Sequence, residues 1–492
     1  MEVAFDGPAA GLNVPIVVGA LLASAVAFRQ PGRSFDRLDA WLPVTALVLA
    51  AFVPIRGDDF LATLDTLGAA AFSGATLIAL AGVPVTRRSA GAIVALGMWL
   101  LAWAATGIRR VLPVAYTSRP ESRQRRLTWI APVARGLAIA LPLATIFAVL
   151  FASADPIFRR GLEDLVGLRI DLGSLPGRAM FTLSATWLAI GLLAAVIMGA
   201  PNGSVPDKIA GTDGAADAIR SPGAAAAPAS PVLASFGTLE ATVVLVIVDV
   251  VVGAFVGLQM AYLFGGLDTL VAAGISYSAD ARRGFFELVA AAVLAGLIVA
   301  ALEGVVRVRS RGHLVAALGL LGLTGAVLTS AAHRLALYQA AYGWTELRFY
   351  VFTAIGYVAI ALALLAVLLV LRQTRWLAHG LGLLAVVGLV VLNLSAPASF
   401  VAERNLERML EPGLVPPDGQ SGLDARYLAE LPDDAVLPMM AVLDWLPDRE
   451  RMDVRAILVS RRESLASDPS LRGPMAWNLT RERARDALSR LP

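Results

Sequence analysis

One acidic side chain stands in the middle of a long apolar run and is the first candidate for chemistry. Asp249 lies between Val248 and Val250, inside the apolar run 238–263. An unpaired charge in hydrocarbon is costly, so this carboxylate must be protonated, paired or turned toward a wet cavity. Such a group suits a proton or ion relay, or a polar substrate pocket. The alternative is a buried pair that fixes the register of two helices.

Other ionisable residues lie near the same run or start the neighbouring ones. Glu240 begins the run that holds Asp249, and Glu287 begins the next run, four residues after Arg283, a spacing that allows a helical pair. Arg135, early in another apolar run, is a candidate cation for one of these acids. The residues predicted for a substrate or ion pathway are Asp249, Glu240, Glu287, Arg135, Arg282 and Arg283.

A stretch rich in aromatic residues and arginine separates two later apolar runs. Arg334, Tyr338 and Tyr342 follow one another at intervals of four, which places them on one face of a helix, and Gly343 then interrupts it before Arg348. Such a stretch is typical of the membrane interface, where side chains with a polar tip keep that tip in water. It is either an aromatic belt or a surface that contacts lipid headgroups or polyisoprenoids.

Several kinds of site are not predicted. The chain has no cysteine, and its three histidines, His313, His333 and His379, lack ligand spacing, so we predict no metal. The only lysine, Lys208, is in no phosphate-binding loop, and we predict no cofactor. The basic residues are scattered between apolar runs, which fits membrane loops better than a nucleic-acid groove.

The candidate residues must be positioned by helices that cross a membrane. The chain of 492 residues is 57% hydrophobic and 16% charged, whereas soluble proteins carry about 25% charged residues. A helix needs about 20 mostly apolar residues to cross a hydrocarbon core of about 30 Å. We predict an all-α polytopic transmembrane helix bundle of about eleven helices in the lipid bilayer. The segments are 11–28, 41–55, 62–83, 91–107, 130–152, 179–199, 238–263, 284–302, 313–331, 349–371 and 378–395.

Composition divides the chain into four parts. An N-terminal transmembrane half, 1–200, and a C-terminal half, 233–396, flank a low-complexity linker at 201–232, for which we predict disorder. The tail, 397–492, is polar and forms a small helical domain, which either binds a protein partner or caps the bundle. Its predicted helices are 398–411, 424–431, 433–446, 448–465 and 475–490.

Arginine-rich loops follow the fourth, eighth and tenth segments, and the positive-inside rule places them in the cytoplasm. If all eleven segments cross, the tail lies outside. Five arginines contradict this arrangement because their loops fall on the opposite side: Arg29, Arg33, Arg37, Arg87 and Arg88. Fewer arginines contradict it if one early segment does not cross. The preference for arginine, with abundant glycine and alanine, is typical of GC-rich bacteria, so we predict an inner (plasma) membrane.

Separate stretches of the chain together follow a known pattern. They are 334–338 (Arg-Leu-Ala-Leu-Tyr), 341–345 (Ala-Tyr-Gly-Trp-Thr), 347–348 (Leu-Arg), 152–158 (Ala-Ser-Ala-Asp-Pro-Ile-Phe), 277–288, 405–408 (Asn-Leu-Glu-Arg), 423–424, 427–428 and 433–436. This combination resembles a bacterial multi-pass membrane family known as domain of unknown function 4173, which has a relative numbered 4153. The resemblance covers roughly residues 130–440. It implies a multi-pass membrane protein and no established activity.

Three functions follow from these observations as hypotheses. The chain is a membrane scaffold or signalling partner that acts through its tail and arginine-rich loops, which is the leading hypothesis. Alternatively, it transports an ion or small polar solute through Asp249, Glu240 and Glu287. The third hypothesis is an integral enzyme on a lipid-linked substrate near Asp155, Arg282 and Arg283, although no residue is assigned as catalytic and an enzyme is not favoured.

Overall fold

The computed structural model describes residues 11–27, 35–80, 85, 130–166, 237–265, 285–306, 310–416, 419, 422–471 and 473–491. All regular structure in these residues is helical, with no strand, which confirms the predicted all-α class. The helices, numbered in chain order, are α1 (Asn13–Ala27), α2 (Trp41–Phe52), α3 (Asp59–Leu80), α4 (Ile130–Ala154), α5 (Pro156–Val166), α6 (Thr238–Gly265), α7 (Phe285–Val305), α8 (Arg311–Tyr342), α9 (Glu346–Val370), α10 (Leu377–Ser395), α11 (Pro397–Leu410), α12 (Ala425–Glu430), α13 (Val436–Val442), α14 (Asp448–Ser467) and α15 (Leu479–Ser489).

Six described helices, α3 and α6 to α10, are long and apolar enough to cross a membrane. Helix α1 has 15 residues and α2 has 12; at 1.5 Å per residue they reach only about 22 and 18 Å, short of the hydrocarbon thickness. The predicted count of about eleven helices is therefore not confirmed. The predicted segments 91–107 and 179–199 and the predicted linker 201–232 lie outside the described residues.

The chain packs into two units, each assembled from separated stretches of sequence. The first unit consists of Met1–Arg88, Ala336–Tyr357 and Ala378–Pro492. The second consists of Ser89–Leu335 and Val358–Leu377. The first unit therefore brings the amino-terminal helices together with the carboxy-terminal tail.

In the first unit, α1, α2 and α3 pack through small and branched apolar residues. Val14, Val18, Leu49 and Ala69 belong to their common buried cluster. A methyl group added at Gly68 would lie 2.7 Å from the Leu49 side chain, so glycine allows α2 and α3 to approach closely. Such small residues favour helix association where lipid removes the hydrophobic driving force.

The tail forms its own apolar core within the first unit. Leu406, Leu428 and Leu458 are buried in one cluster contributed by α11, α12 and α14. The predicted tail helices are present, with two differences. The last one begins at Leu479 and not at 475, and 433–446 contains only the short helix α13, flanked by 3-10 turns. Pro438 accounts for the late start of α13, because a proline that has no N–H is accommodated only in the first turn of a helix.

In the second unit, α4 and α6 lie side by side and run in the same direction. Gly136 near the start of α4 packs against Val243 near the start of α6. Toward their other ends, the Phe151 and Phe255 rings stack with centroids 4.1 Å apart. Contacts at matching positions along both helices establish the parallel arrangement.

Candidate functional site

A sharp turn in the first unit joins α8 to α9. Gly343 has a φ of +80°, which a residue without a Cβ adopts without strain. Just before it, Arg408 of α11 donates to the backbone oxygens at the end of α8, including Ala341 at 2.8 Å and Ala340. These carbonyls have no partner within the helix, so the guanidinium both satisfies them and complements the helix dipole.

The residue after Gly343 is held by a side-chain amide of α11. The Trp344 backbone N–H donates to Asn405 Oδ1 at 2.8 Å, and Asn405 Nδ2 donates to the Trp344 carbonyl at 2.8 Å. The amide thus pairs with the backbone as a neighbouring strand would. The next helix is fixed in the same way, since the Glu346 backbone N–H donates to the Tyr427 hydroxyl at 2.7 Å. Burial raises the pKa of Tyr427 to about 12.

Most of the predicted interfacial motif meets at this turn. The Arg348 guanidinium lies 4.2 Å from the centroid of the Tyr338 ring, a cation–π contact. The Tyr338 and Tyr342 rings are 5.0 Å apart, and Arg348 also donates to the Gly343 carbonyl. The fifth member, Arg334, belongs to the second unit, where it has a different partner.

A pocket of about 200 Å³ opens beside this turn. It is bordered by both guanidiniums, of Arg348 and Arg408, and by residues from the turn and from the tail. Residues from five stretches that carry the family resemblance therefore line one cavity: 341–345, 347–348, 405–408, 423–424 and 427–428. Sequence inspection identified these stretches separately but gave no signal that they meet.

A second polar group of the first unit surrounds the start of α3. Asp58 is 5% exposed, and its Oδ1 accepts from the backbone N–H groups of Phe60 at 2.8 Å and Leu61 at 3.1 Å. It is therefore the N-cap of α3. Its Oδ2 accepts from the Tyr350 hydroxyl of α9, so one carboxylate joins two candidate membrane helices.

Two turns further along α3, Asp65 is fully buried, with an exposed fraction of 0%. Asn393 Nδ2 of α10 donates to Asp65 Oδ1 at 2.9 Å and to the Leu389 carbonyl at 3.0 Å. Asp65 Oδ2 and Asn393 Oδ1 are both buried and have no hydrogen-bond partner within the described residues. Asp65 was missed in the sequence, although it satisfies the criterion that selected Asp249: an acid inside an apolar run.

The tail is anchored to the turn between α2 and α3. Asp434 accepts from the Gly57 backbone N–H at 2.7 Å and lies 3.4 Å from Arg56. Asn478 Nδ2 donates to the Arg56 carbonyl at 2.6 Å, and the Thr480 hydroxyl donates to the Ile55 carbonyl at 2.7 Å. Burial raises the pKa of Asp434, although the Gly57 and Arg56 bonds oppose this shift.

In the second unit, Asp249 is half-buried in α6 and faces α8. A methyl group added at Gly319 of α8 would lie 3.5 Å from Asp249 Oδ2. Asp249 Oδ1 is buried and has no hydrogen-bond partner within the part of the chain that the structure describes. The side chain of its predicted cation, Arg135, lies outside the described residues, so their pairing stays a prediction.

The other predicted pathway residues lie at helix ends. Glu240 is 3% exposed, and it accepts from the Gly237 backbone N–H at 2.9 Å, which is the capping-box contact of a helix start. Glu287 is half-buried in the first turn of α7. Arg282 and Arg283 lie outside the described residues.

Arg334 and Asp155 form an ion pair in the second unit. Their side chains are 2.8 Å apart, and Arg334 also donates to the Ala154 carbonyl at 3.1 Å. Asp155 caps α5 by accepting from the Ile157 backbone N–H at 2.9 Å. The pair joins two stretches of the family pattern, and Asp155 is thereby held in place at the end of α4.

A buried pair of another kind lies between α7 and α8. His313 Nε2 is 3.0 Å from Glu303 Oε1, and both side chains are almost fully buried. No group of three or more potential metal ligands occurs among the described residues. The contact is thus a hydrogen-bonded pair across the short connection between two helices.

Comparison with known proteins identifies a family and nothing closer. The model of the family described as "Domain of unknown function (DUF4153)" matches residues 42–442, which is most of the chain. The match is to the relative numbered 4153 and not to 4173. Neither a curated protein nor a solved structure matches the chain.

Proposed function

The chain belongs to the DUF4153 family, and from that premise we propose that it is a proton-handling membrane transporter with Asp65 as its proton site. The hypothesis of transport through an intramembrane carboxylate is thereby kept, but its main residue changes. The described part of the chain contains six helices able to cross a membrane, which supports the class of protein. The transported ion or small polar solute is not specified by these contacts.

The hydrogen bonds of Asp65 and Asn393 carry the proposal. Both N–H groups of the amide are used, one on Asp65 and one on Leu389, which leaves one carboxyl oxygen and one amide oxygen without a partner among the described residues. Two acceptors cannot pair with each other, but a proton on the carboxyl group supplies the missing donor. A buried group without a partner is costly, so this pair is built for a protonated acid.

A proton site must also release its proton. Asp58, the N-cap of the same helix seven residues earlier, accepts from the hydroxyl of Tyr350 on α9. Both belong to the first unit. We propose that they form the exit toward the side on which the tail lies.

The tail contacts favour transport over the scaffold hypothesis. A free interaction module needs few bonds to the bundle, whereas Asp434, Asn478 and Thr480 all bind the turn before α3. These bonds support a tail that caps the bundle. A protein partner at its outer surface, residence in a bacterial inner membrane, and an enzyme near Asp155 remain untested hypotheses.

Proton flux in proteoliposomes tests the proposal. The protein is reconstituted with an internal pH-sensitive dye, and a pH step is applied outside. We expect Asp65→Asn to abolish the protein-dependent flux and Asp59→Asn, an exposed acid on the same helix, to leave it unchanged.

Infrared spectroscopy provides a readout that needs no solute. A protonated Asp65 gives a carboxyl C=O band that shifts in heavy water and is missing in Asp65→Asn. The proposal fails if that band is absent from the wild type and the flux of Asp65→Asn equals that of the wild type.

A further inference from the structure

Three carboxyl groups meet where the tail contacts the turn between α2 and α3. Tyr350 donates to Asp58, and Glu346 lies one turn before Tyr350 on α9, hence on the same face of that helix. Asp434 of the tail binds the backbone N–H of Gly57, the residue next to Asp58. The charges of Asp58 and Asp434 both act on Glu346, so the three acids lie within electrostatic range of one another.

The three acids differ in the hydrogen bonds that they accept. Asp58 accepts from two backbone N–H groups and from the Tyr350 hydroxyl. Asp434 accepts from a backbone N–H and lies 3.3 Å from the Thr480 hydroxyl. Glu346 Oε1 is buried and accepts no hydrogen bond from the described residues. A proton on Glu346 turns this oxygen into a donor toward a neighbouring acid.

Only one cation pairs with these acids in the part of the chain that the structure describes. Arg56 lies 3.4 Å from Asp434. Arg348, in the first turn of α9, contacts the Tyr338 ring and the Gly343 carbonyl instead. If all three acids are ionised, three negative charges therefore face one positive charge, and like charges held close together repel each other.

The cations of the tail core face the neighbouring residue Asp433. Its oxygens lie 3.5 Å from Arg461 and 3.7 Å from Arg481, and Arg485 acts on the same carboxyl group. Asp59, which is exposed, acts on it as well, and burial raises the pKa of Asp433. Asp433 is thus balanced from within the tail, and the excess negative charge lies among the other three acids.

We propose that the tail is a pH-dependent latch on the turn between α2 and α3. It docks while one of the three acids carries a proton, and the like charges release it when that proton is lost. Docking therefore takes up a proton and weakens as the pH rises. Since Asp58 and Tyr350 are the proposed proton exit, the latch also regulates that exit, and this consequence alone rests on the proposed function.

Two backbone amides report directly on docking. The Gly57 N–H binds Asp434, and the Leu479 N–H of the tail binds the Pro54 carbonyl at 2.7 Å. Hydrogen–deuterium exchange of the full-length protein in detergent gives their protection factors, corrected for the intrinsic exchange rate at each pH. We expect both factors to fall with rising pH by up to about tenfold per pH unit, the limit for one released proton. Constant protection from mildly acidic to mildly alkaline pH overturns the proposal.

An amide of the tail core distinguishes release from unfolding. Leu458 is buried in that core, and its N–H lies within α14. It stays protected when the tail detaches as a folded unit. A parallel loss of protection at Leu458 means that the tail unfolds instead of detaching, and this result also overturns the proposal.

A glutamine at position 346 fixes the neutral form of that side chain. In Glu346→Gln we expect the protection of Gly57 and Leu479 to vary by less than about threefold over the same pH range, because the proton is no longer needed. The matched control is Glu403→Gln, an exposed glutamate of α11, which should keep the wild-type pH dependence. The same pH dependence in Glu346→Gln as in the wild type, or its loss in both variants, contradicts the assignment.

A second variant covers the case in which Glu346→Gln does not fold. A Cβ at position 57 would lie 2.8 Å from Asp434 Oδ2, so Gly57→Ala forces this carboxyl group away and should lower the protection of Leu479 at every pH. Unchanged protection shows that Asp434 does not hold the tail and overturns the latch. These measurements follow the tail and not proton flux, so the latch can fail while Asp65→Asn still abolishes flux, and the reverse.

Discussion

Asp65 and Asp249 are both acids inside candidate membrane helices, yet their surroundings differ. Asp65 accepts a hydrogen bond from the Asn393 amide, and the oxygen of that amide has no partner among the described residues. Asp249 faces Gly319, which offers space but no side-chain donor. The comparison teaches that the partner of an intramembrane acid indicates its role. The surroundings of Asp65 are specific for a protonated carboxyl group, whereas those of Asp249 only provide space for one.

Removing each acid tests this difference most strongly. Asp65→Leu leaves the buried Asn393 amide without its acid partner and should lower the free energy of unfolding by about 1–3 kcal/mol. Asp249→Leu removes an acid with no described partner for Oδ1, so stability should stay the same or rise. Thermal unfolding in detergent measures both. Equal destabilisation would contradict the comparison.

Exchanging the acid and the amide between positions 65 and 393 tests the proposed interaction of Asp65 more directly. Asp65→Asn combined with Asn393→Asp keeps one acid and one amide in the same site. We expect the double variant to recover most of the stability that either single variant loses, with a coupling energy of about 0.5–3 kcal/mol. A double-mutant cycle from the four melting curves gives this energy. Strict additivity would show that the two side chains do not interact.

The tail anchor provides a comparison outside the membrane. The pKa of Asp434 is raised above its ordinary value of 3.8, chiefly by burial, so the folded state binds more protons than the unfolded state just above that pH. Stability therefore falls as pH rises through this range. Asp434→Asn should reduce this slope by at most about 1.4 kcal/mol per pH unit.

The pH slope should not vanish in Asp434→Asn, because burial also raises the pKa of Asp433. Unfolding at several pH values from mildly acidic to neutral measures the slope. An unchanged slope would mean that Asp434 titrates alike in both states.

The smallest effect is expected at the contact of Asp249. A Cβ at position 319 would lie in ordinary contact, 3.5 Å from Asp249 Oδ2, so Gly319→Ala should change stability by less than about 1 kcal/mol. The same unfolding assay applies. A larger loss would show that Asp249 depends on close backbone approach, and the contrast with Asp65 would weaken.

The sequence allowed prediction of whatever depends on local pattern. Apolar runs located α6 to α10, and Gly343 was correctly identified as a helix break. Side-chain partners were not predictable in this way, because Asp65 and Asn393, or Asp155 and Arg334, are far apart in the chain and neither periodicity nor spacing relates them. Glu240 was predicted as a pathway residue near a helix start, and its capping contact with the Gly237 backbone was not predicted.

The tail binds two turns that are far apart in sequence, which constrains the number of membrane crossings between them. Turns 53–58 and 343–345 both bind the tail, so they emerge on one face, and the number of passages between them is even. Seven predicted segments lie in that interval, so they cannot all pass through.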